Sequence, residues 1–160
     1  MAQDKIQVGK ALQINPSDTA DIPNPSYNGR VSGTASAVTA NNLVDSTSDF
    51  VADGVKVGDI VYNNTDGKAA TVTAVVSETQ LTLSEDIFDT ISDEYVVYLT
   101  PDIPNQGCVF YVGVGGDVTV KTVGGDQVTF QNLNNGQFVP VEILQVLETG
   151  TTATGLVALW

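Results

Sequence analysis

The sequence predicts an all-β protein made of two small β-barrel or β-sandwich units and an extended N-terminal arm. Thr and Val, which favour strands, are abundant, and the chain contains 15 glycines in 160 residues. Short apolar runs alternate with Gly, Asn and Asp turn signals at even spacing, which is typical of antiparallel strands. The first 27 residues carry three prolines and few apolar side chains.

Residues 1–27 are predicted to form the arm. Pro16, Pro23 and Pro25 oppose a helix or a central strand, and the neighbouring Asn, Ser and Asp residues favour turns. Such a segment cannot build a core of its own, and fully stretched it would reach on the order of 90 Å. We therefore expect the arm to be ordered by lying on a sister subunit or on a larger lattice.

Residues 28–101 are predicted to form an inserted small β domain. Apolar runs at 55–62, 70–76, 80–84 and 95–99 give four or five strands, which fits a small barrel or a rolled sheet. The loop 63–67 ends in Asp66-Gly67, a pair that favours a hairpin turn. Residues 49–55 are the one stretch with the character of a helical turn.

Residues 102–160 are predicted to form a C-terminal β-meander or sandwich. Five strands are expected at 109–114, 118–121, 128–130, 139–147 and 156–160, with Gly-containing turns between them. The Gly-rich stretch 113–116 is expected to be a hairpin turn rather than a nucleotide cradle. Pro140 falls inside a strand and indicates an edge position or a bulge.

A short repeat brackets the middle segment. The sequence Asp-Ile-Pro-Asn at 21–24 returns at 102–105, and both copies lie where a domain boundary is expected on other grounds. Since an inserted domain needs its two ends close together, the repeat indicates an insertion junction.

Charge and composition exclude several classes of function. The chain has 19 acidic and 6 basic side chains, a formal charge of −13, and such a surface repels phosphates, so we expect no nucleic-acid partner. No apolar run approaches the roughly 18 residues of a membrane span, and the first ten residues lack a signal-peptide core, so a soluble protein without a membrane partner is expected. The single cysteine, Cys108, is expected to be a buried thiol that acts as a small hydrophobe.

The residues for most catalytic chemistry are missing. The chain has no histidine, which removes the usual general base, and it has no phosphate-binding loop. Many carboxylate pairs of glycosidase type can be drawn, but no pair is favoured. We therefore expect no enzyme activity, no catalytic or cofactor-binding residues and no cofactor.

Two acidic stretches could hold calcium. They are residues 85–89 with 93–94, and the loop 63–66. Neither has the alternating Asp/Asn spacing and distal Glu of a calcium loop, so solvated turns are the favoured interpretation and no metal ligands are assigned.

Parts of the sequence resemble a known family. The arm at 14–25 reads INPSDTADIPNP, and the C-terminal segment contains FYVGVGGDVTV at 110–120, GGDQVTF at 124–130 and TGTTATGLVALW at 149–160. In this combination they resemble the head-spike base proteins of tailed phages and gene transfer agents. In that family the arm runs almost directly into the second motif, whereas here about 75 residues intervene, so this chain resembles a member that carries an inserted β module.

The resemblance implies a non-enzymatic virion protein on the capsid exterior, assembled in the host cytoplasm, that acts as a cement or decoration subunit or as a head-spike base. The implied partners are the major capsid protein, copies of the chain itself as a trimer or pentamer, and a spike or fibre protein. The C-terminal unit would be the attachment and oligomer core. Two alternatives stay open, a tail or baseplate component and an adsorption protein that binds or cleaves host glycans.

Overall fold

The computed structural model describes residues 9–25, 29–101 and 105–160. Within these ranges thirteen strands form two antiparallel sheets, and no helix is present. The prediction of an all-β fold with two β units is therefore confirmed. Residues 49–55 were expected to have the character of a helical turn. They form a series of turns in which the backbone N–H of Asp53 donates to the Asp49 carbonyl at 2.9 Å, the hydrogen bond of a single helical turn.

The middle segment forms a seven-stranded sheet in the order β2-β8-β5-β6-β7-β4-β3. It thus has more strands than the four or five expected, and their bounds are β2 (Arg30–Thr34), β3 (Ala37–Thr39), β4 (Asn42–Val44), β5 (Ile60–Asn63), β6 (Lys68–Ser77), β7 (Gln80–Leu83) and β8 (Glu94–Tyr98). The two end strands, β2 and β3, are separated by only two residues, so the Cα atoms of Thr34 and Ala37 are at most about 11 Å apart. The sheet must therefore curl until its ends meet, and we call this unit the barrel.

Side chains on β5 and β8 alternate between the inside and the outside of the barrel, as the two-residue period of a strand requires. Val61 and Val97 are fully buried in the interior with Phe50. Their neighbours Tyr62 and Tyr98 point outward, yet they are also buried because another part of the chain covers them. This double burial explains why the first three residues of β5, Ile60 to Tyr62, are all apolar or aromatic.

The predicted turn after β5 is confirmed. Asn63 pairs with Lys68 across the hairpin, and Gly67 has a φ of 70°, a left-handed conformation that glycine adopts without strain. The Asp66-Gly67 pair therefore lies in the expected loop.

The other sheet has six strands in the order β1-β13-β9-β12-β10-β11. It combines one strand from the arm with five from the C-terminal segment: β1 (Ala11–Gln13), β9 (Cys108–Tyr111), β10 (Gly116–Thr122), β11 (Gln127–Leu133), β12 (Phe138–Val146) and β13 (Val157–Leu159). One face packs into a core of its own around Phe110, Val120 and Ile143, which are fully buried.

The strand order of this sheet corrects the expected meander. β10 and β11 form a hairpin, but β12 lies between β9 and β10, so the connection at 113–116 is not a hairpin turn. Here the backbone passes close to other segments, and a Cβ atom on Gly115 would collide with the Leu133 carbonyl oxygen. The absence of a Cβ atom at Gly115 therefore allows this segment to pass close to the backbone at Leu133.

Pro140 lies in a central strand, at the irregular register between Val139 and Ile143. The expectation of a bulge is therefore confirmed, and the expectation of an edge position is wrong.

The described part of the arm packs on its own chain, whereas it was expected to be ordered by a sister subunit or a larger lattice. Beyond β1, which pairs with β13, the backbone N–H groups of Ile14, Ser17 and Ile22 donate to carbonyls of the C-terminal segment at 2.7–3.0 Å. The Gln145 side chain donates to the Ser17 carbonyl at 2.9 Å. Ile14 and Ile22 are buried in the core of the six-stranded sheet, which makes the arm a structural part of that unit.

The other side of the arm contacts the barrel. Ala20 packs against Ile60, Tyr62 and Tyr98 on the outside of the barrel. The Thr71 hydroxyl donates to the carbonyl of Thr19 at 3.0 Å. The arm therefore lies between the six-stranded sheet and the barrel.

Candidate functional site

The outer face of the six-stranded sheet is built from two rows of side chains. Residues paired across antiparallel strands point to the same face, so the register defines each row. The first row crosses β1, β13, β9 and β12 and consists of Gln13, Val157, Tyr111 and Phe138. The second row crosses β1, β13 and β9 and consists of Ala11, Leu159 and Val109. We call these seven residues the outer face.

The outer face is uncharged and mostly apolar in a strongly acidic protein. None of its seven side chains is ionisable near neutral pH, whereas the whole chain has a formal charge of −13. Tyr111 and Phe138 lie next to each other and are 38% and 40% exposed. An uncharged patch with adjacent aromatic residues loses little solvation free energy when another protein covers it, and it is typical of the centre of an interface.

A cleft lies beside the outer face, between the arm and the barrel. Leu12, Gln13 and Asn15 line it from the arm. Tyr62, Asn64, Gly67 and Tyr98 line it from the barrel, and its volume is about 160 Å³. No charged side chain contributes to the lining.

Two tyrosines shape the barrel side of the cleft. The rings of Tyr62 and Tyr98 pack edge to face, 5.2 Å between centroids, and the Arg30 guanidinium lies 5.4 Å from the Tyr98 ring centroid. Burial raises the pKa of Tyr62 far above its ordinary value, and Tyr98 adds to the rise while the Asn15 backbone opposes it. The Tyr62 hydroxyl lies near the Asn15 backbone but makes no hydrogen bond of good geometry with any described residue. Burial also raises the pKa of Tyr98, against the effect of Arg30.

Three of the acidic residues considered for calcium come together on the barrel. Carboxylate oxygens of Asp66, Asp89 and Asp93 lie within 4.8 Å of one another. The loop 63–66 and the stretch 85–94 therefore meet in space, which their separation in sequence did not show. Lys68 lies 3.7 Å from Asp89 and offsets part of the negative charge.

The amide of Asn63 holds this acidic cluster together. It is fully buried, and its Nδ2 atom donates to Asp66 at 2.8 Å, to the Ile87 carbonyl at 2.7 Å and to Asp93 at 3.2 Å. Its Oδ1 atom accepts backbone N–H groups of Thr65 and Asp66, which fixes the orientation of the amide. An amide donor thus stands where a cation would have to contact two of the carboxylates. Asp93 and Asn63 are both buried, so this part of the cluster is held by contacts within the protein.

The remaining acidic candidates do not join the cluster. The Asp86 carboxylate accepts the backbone N–H of Asn41 at 3.2 Å, and the backbone N–H of Glu94 donates to the Thr65 hydroxyl at 2.9 Å. These contacts are typical of turns that connect strands.

Cys108 has the character expected from the sequence. It is a free, buried cysteine in the core of the six-stranded sheet. Burial raises the pKa of the thiol to about 12, so the reactive thiolate is scarce at neutral pH. The prediction of a thiol that acts as a small hydrophobe is confirmed.

Comparison with known proteins adds no relative. No protein-family model matches the sequence, no curated protein is similar to it, and no solved structure matches its fold. Among the described residues, no helix is long and apolar enough to cross a bilayer.

Sequence reasoning did not find the outer face or the cleft. The outer face depends on the pairing of β1 with β13 and of β9 with β12, which no local pattern reveals. The cleft joins Gln13 and Asn15 to residues about 50 positions later in the chain. One signal was present. Successive side chains of a strand point to opposite faces, so the neighbours Phe110 and Tyr111 must lie on different sides of β9.

Proposed function

We propose that this chain is a non-enzymatic virion structural protein on the outer capsid surface, where it serves as a cement or decoration subunit or as a head-spike base. The outer face carries this proposal. It is an uncharged, partly aromatic surface on an acidic protein, and it suits binding to another protein through contact area. The segments that resemble head-spike base proteins, the arm and the C-terminal segment, together build the sheet that presents it.

The major capsid protein is the proposed partner of the outer face. The remaining acidic surface would keep a decorated particle soluble. The barrel, attached through the arm, would project from the shell or cover neighbouring subunits, and a spike or fibre protein would bind to the assembled base. A tail or baseplate position would use the same face against a different virion protein.

The size of the outer face favours an oligomer. Strands about 4.8 Å apart and rows about 7 Å apart give a face on the order of 300 Å². A stable interface uses about 800 Å² per partner, so one face alone binds weakly. Several copies held together bind far more tightly than one, because each further contact is intramolecular. We therefore retain the trimer or pentamer as part of the proposal.

The test is co-sedimentation with shells that lack the protein. Phe138→Glu places a charge on the outer face, next to Tyr111, and we expect at least a tenfold loss of binding, about 1.4 kcal/mol. Val38→Glu is the matched control, because Val38 is 46% exposed on β3 of the barrel, away from the six-stranded sheet. Both variants should keep the wild-type circular dichroism.

Two results would count against the proposal. If the Phe138 and Val38 variants bind shells equally well, attachment does not use the outer face. If the wild-type protein does not sediment with shells at all, the capsid assignment is wrong, and the same variants should then be tested on purified tails. Sedimentation velocity measures the oligomeric state directly, and a monomer at every concentration would remove the trimer or pentamer.

A further inference from the structure

The six-stranded sheet ends in an open edge at β11. This strand pairs with β10 on one side, and no other strand of the described chain lies on its second side. Five of its seven residues are exposed, with side chains on both faces of the sheet. The opposite edge of the sheet, β1, lies against the barrel through Leu12.

The register shows which backbone groups of β11 point to this edge. The backbone N–H of Thr122 donates to the Asp126 carbonyl at 2.9 Å, so that pair is hydrogen-bonded. Since bonded and non-bonded pairs alternate in an antiparallel ladder, every second residue of β11 points its N–H and C=O groups away from β10. These residues are Gln127, Thr129 and Gln131. Thr119, opposite Thr129, accordingly accepts from the backbone of Leu147 instead.

β11 lacks the features that usually protect an open edge. Edge strands of natural proteins carry lysines, prolines, bulges or inward-pointing charges, which prevent pairing with another chain. The sequence of β11, QVTFQNL, contains no charged residue and no proline, in a chain with 19 acidic side chains. The register shift of this hairpin lies beyond Phe130, so the pairing before it is regular. A further strand can therefore add to this edge.

The sequence of the edge is self-complementary. From 127 to 131 the residues are Gln, Val, Thr, Phe and Gln, so the pattern of polar and apolar side chains reads the same in both directions around Thr129. A second copy of β11, related by a two-fold axis at Thr129, would place Gln opposite Gln, Thr opposite Thr and Val opposite Phe. The backbone groups match in the same register, because the residues at 127, 129 and 131 all point to the edge.

Val128 and Phe130 give this pairing an apolar side. They lie opposite Val120 and Val118 of β10, on the face that carries the core of the sheet. Val128 is nevertheless 42% exposed, and Phe130 is only partly buried, although its ring centroid lies 6.3 Å from that of Phe110. In the two-fold pairing each of these side chains would be covered by the other one from the second copy. The core would then continue from one subunit into the next.

We propose that β11 is a self-pairing edge, at which two copies of the chain join their six-stranded sheets through antiparallel β11 strands with Thr129 on the two-fold axis. The charges suit this approach, since 127–131 has no ionisable side chain and Asp126 comes to lie beside Asn132 of the second copy rather than beside a carboxylate. The inference goes beyond the proposed virion role and does not depend on it, because the outer face lies on β1, β13, β9 and β12.

The pairing is expected to be weak in solution. Five residues at 3.4 Å each form a ladder about 17 Å long, which buries much less than the roughly 800 Å² per partner of a stable interface. We therefore expect a Kd of about 0.1–1 mM. Covalent trapping is the suitable test for a contact of this strength.

Thr129→Cys in the full-length protein tests the register directly. The Cα atoms of a hydrogen-bonded antiparallel pair are about 5.5 Å apart, a distance that a disulfide bridges, so a glutathione redox buffer should produce a linked dimer. Gln127→Cys is the matched control on the same exposed strand, because its two copies would lie about 14 Å apart. At equal concentration we expect roughly tenfold more dimer from Thr129→Cys, since pairing raises the local thiol concentration. The native Cys108 is buried and should not contribute.

Two further measurements check the same register. An equimolar mixture of Gln127→Cys and Gln131→Cys should form the mixed disulfide, because these positions lie opposite each other, whereas neither variant alone should form a dimer. In ¹H–¹⁵N spectra of the wild type, recorded above and below the expected Kd, the backbone amide signals at 127, 129 and 131 should shift. Those at 128 and 130 should shift less, because they already bond to β10.

Three outcomes would overturn the inference. Equal yields of dimer from Thr129→Cys and Gln127→Cys would mean that the copies meet only by random collision. A larger yield from Gln127→Cys would show that the strands pair in another register. Wild-type amide signals of β11 that stay constant with concentration would mean that the edge remains open. The cysteine variants replace exposed side chains, and circular dichroism should confirm that each keeps the wild-type fold.

Discussion

The side-chain amide of Asn105 donates a hydrogen bond to the carbonyl of Ile22, at 3.2 Å. Ile22 itself is held on the six-stranded sheet by the carbonyl of Leu144. The chain therefore returns from the barrel close to the place where it leaves the arm, which is the geometry an inserted domain requires. The first Asp-Ile-Pro-Asn copy is described, whereas residues 102–104 of the second lie outside the described residues.

This closeness predicts that the barrel can be removed. Joining Pro25 to Asn105 should leave a folded protein, because the core around Phe110 contains no barrel side chain. The deletion should uncover mainly Leu12 and Ala20, which pack against the barrel. We expect a β-type circular dichroism spectrum, cooperative unfolding at a lower temperature and retained binding to shells.

The control is the complementary fragment, residues 28–101, which keeps the barrel core and should also fold. An unfolded deletion variant beside a folded fragment would show that the six-stranded sheet needs the barrel. A folded variant that no longer sediments with shells would show that the barrel makes the capsid contact.

Local patterns predicted the class of fold and most of the C-terminal strands, but they missed weak strands. β2 has the sequence RVSGT, with few apolar residues, and it is only half-buried. Its Gly33 is needed because a Cβ atom there would lie 2.5 Å from Asp45 and 2.7 Å from the Tyr95 hydroxyl. Asp45 and Tyr95 are close to Gly33 only in the folded protein, so the residues around β2 do not by themselves indicate a strand.

Strand partners were harder to predict than strands. The glycines at 113–116 do separate two strands, but such a signal does not tell whether the next strand pairs with the previous one. The partners of β9 are set by long-range burial, with Phe110 between Val139 and Ala158 on the core side of the sheet. The outer face arises from this pairing, and the cleft arises from the packing of the arm on the barrel, so neither could be read from the sequence.

Two neighbouring aspartates of the arm should affect stability in opposite directions. Hydrogen bonds from Thr149, to the Asp18 carboxylate at 2.6 and 3.0 Å, lower the pKa of Asp18. Burial raises the pKa of Asp21, and Lys121 opposes only part of that rise. At pH 7, Asp18→Asn should therefore lower the melting temperature, whereas Asp21→Asn should raise it.

The pH dependence separates this explanation from a packing effect. A lowered pKa stabilises the folded protein above the unfolded value of about 3.9, and that contribution is lost as the pH falls through the folded value. A raised pKa has the opposite sign, so the penalty at Asp21 disappears as the carboxyl becomes protonated. Thermal unfolding at pH 3 and pH 7 should show both differences shrinking in acid. Differences that stay constant with pH would mean that charge is not the cause.

The acidic cluster should depend on Asn63 rather than on calcium. Asn63→Ala removes a fully buried donor from Asp66 and Asp93, and an unpaired buried acceptor costs about 1–3 kcal/mol. Denaturant unfolding should show this loss. Millimolar calcium should leave the melting temperature of the wild type unchanged.

Asn63→Asp provides the matched variant for that prediction. It replaces the amide donor by another carboxylate beside Asp66, Asp89 and Asp93, so the variant should be destabilised and calcium should restore its melting temperature, since oxygen-rich sites suit that ion. A calcium response in the wild type would instead show that the cluster already binds the ion.

Acid should weaken the barrel through the contact between Asp45 and Tyr95. The Tyr95 hydroxyl donates to the Asp45 carboxylate at 2.8 Å, and Thr47 donates to the same carboxylate through its backbone and its hydroxyl. Burial alone would raise the pKa of Asp45, but these hydrogen bonds outweigh it and the pKa is lowered. This stabilisation is complete above the unfolded value of about 3.9 and is lost as the pH falls through the folded value. Tyr95→Phe should lower the free energy of unfolding by about 1.5–3 kcal/mol at pH 7, the contribution of a hydrogen bond to a charged group, and by less at pH 3.

Tyr111→Phe, at an exposed tyrosine, is the control and should change the free energy of unfolding little at either pH. If denaturant unfolding showed an equal loss for both variants, the role given to Asp45 would be wrong.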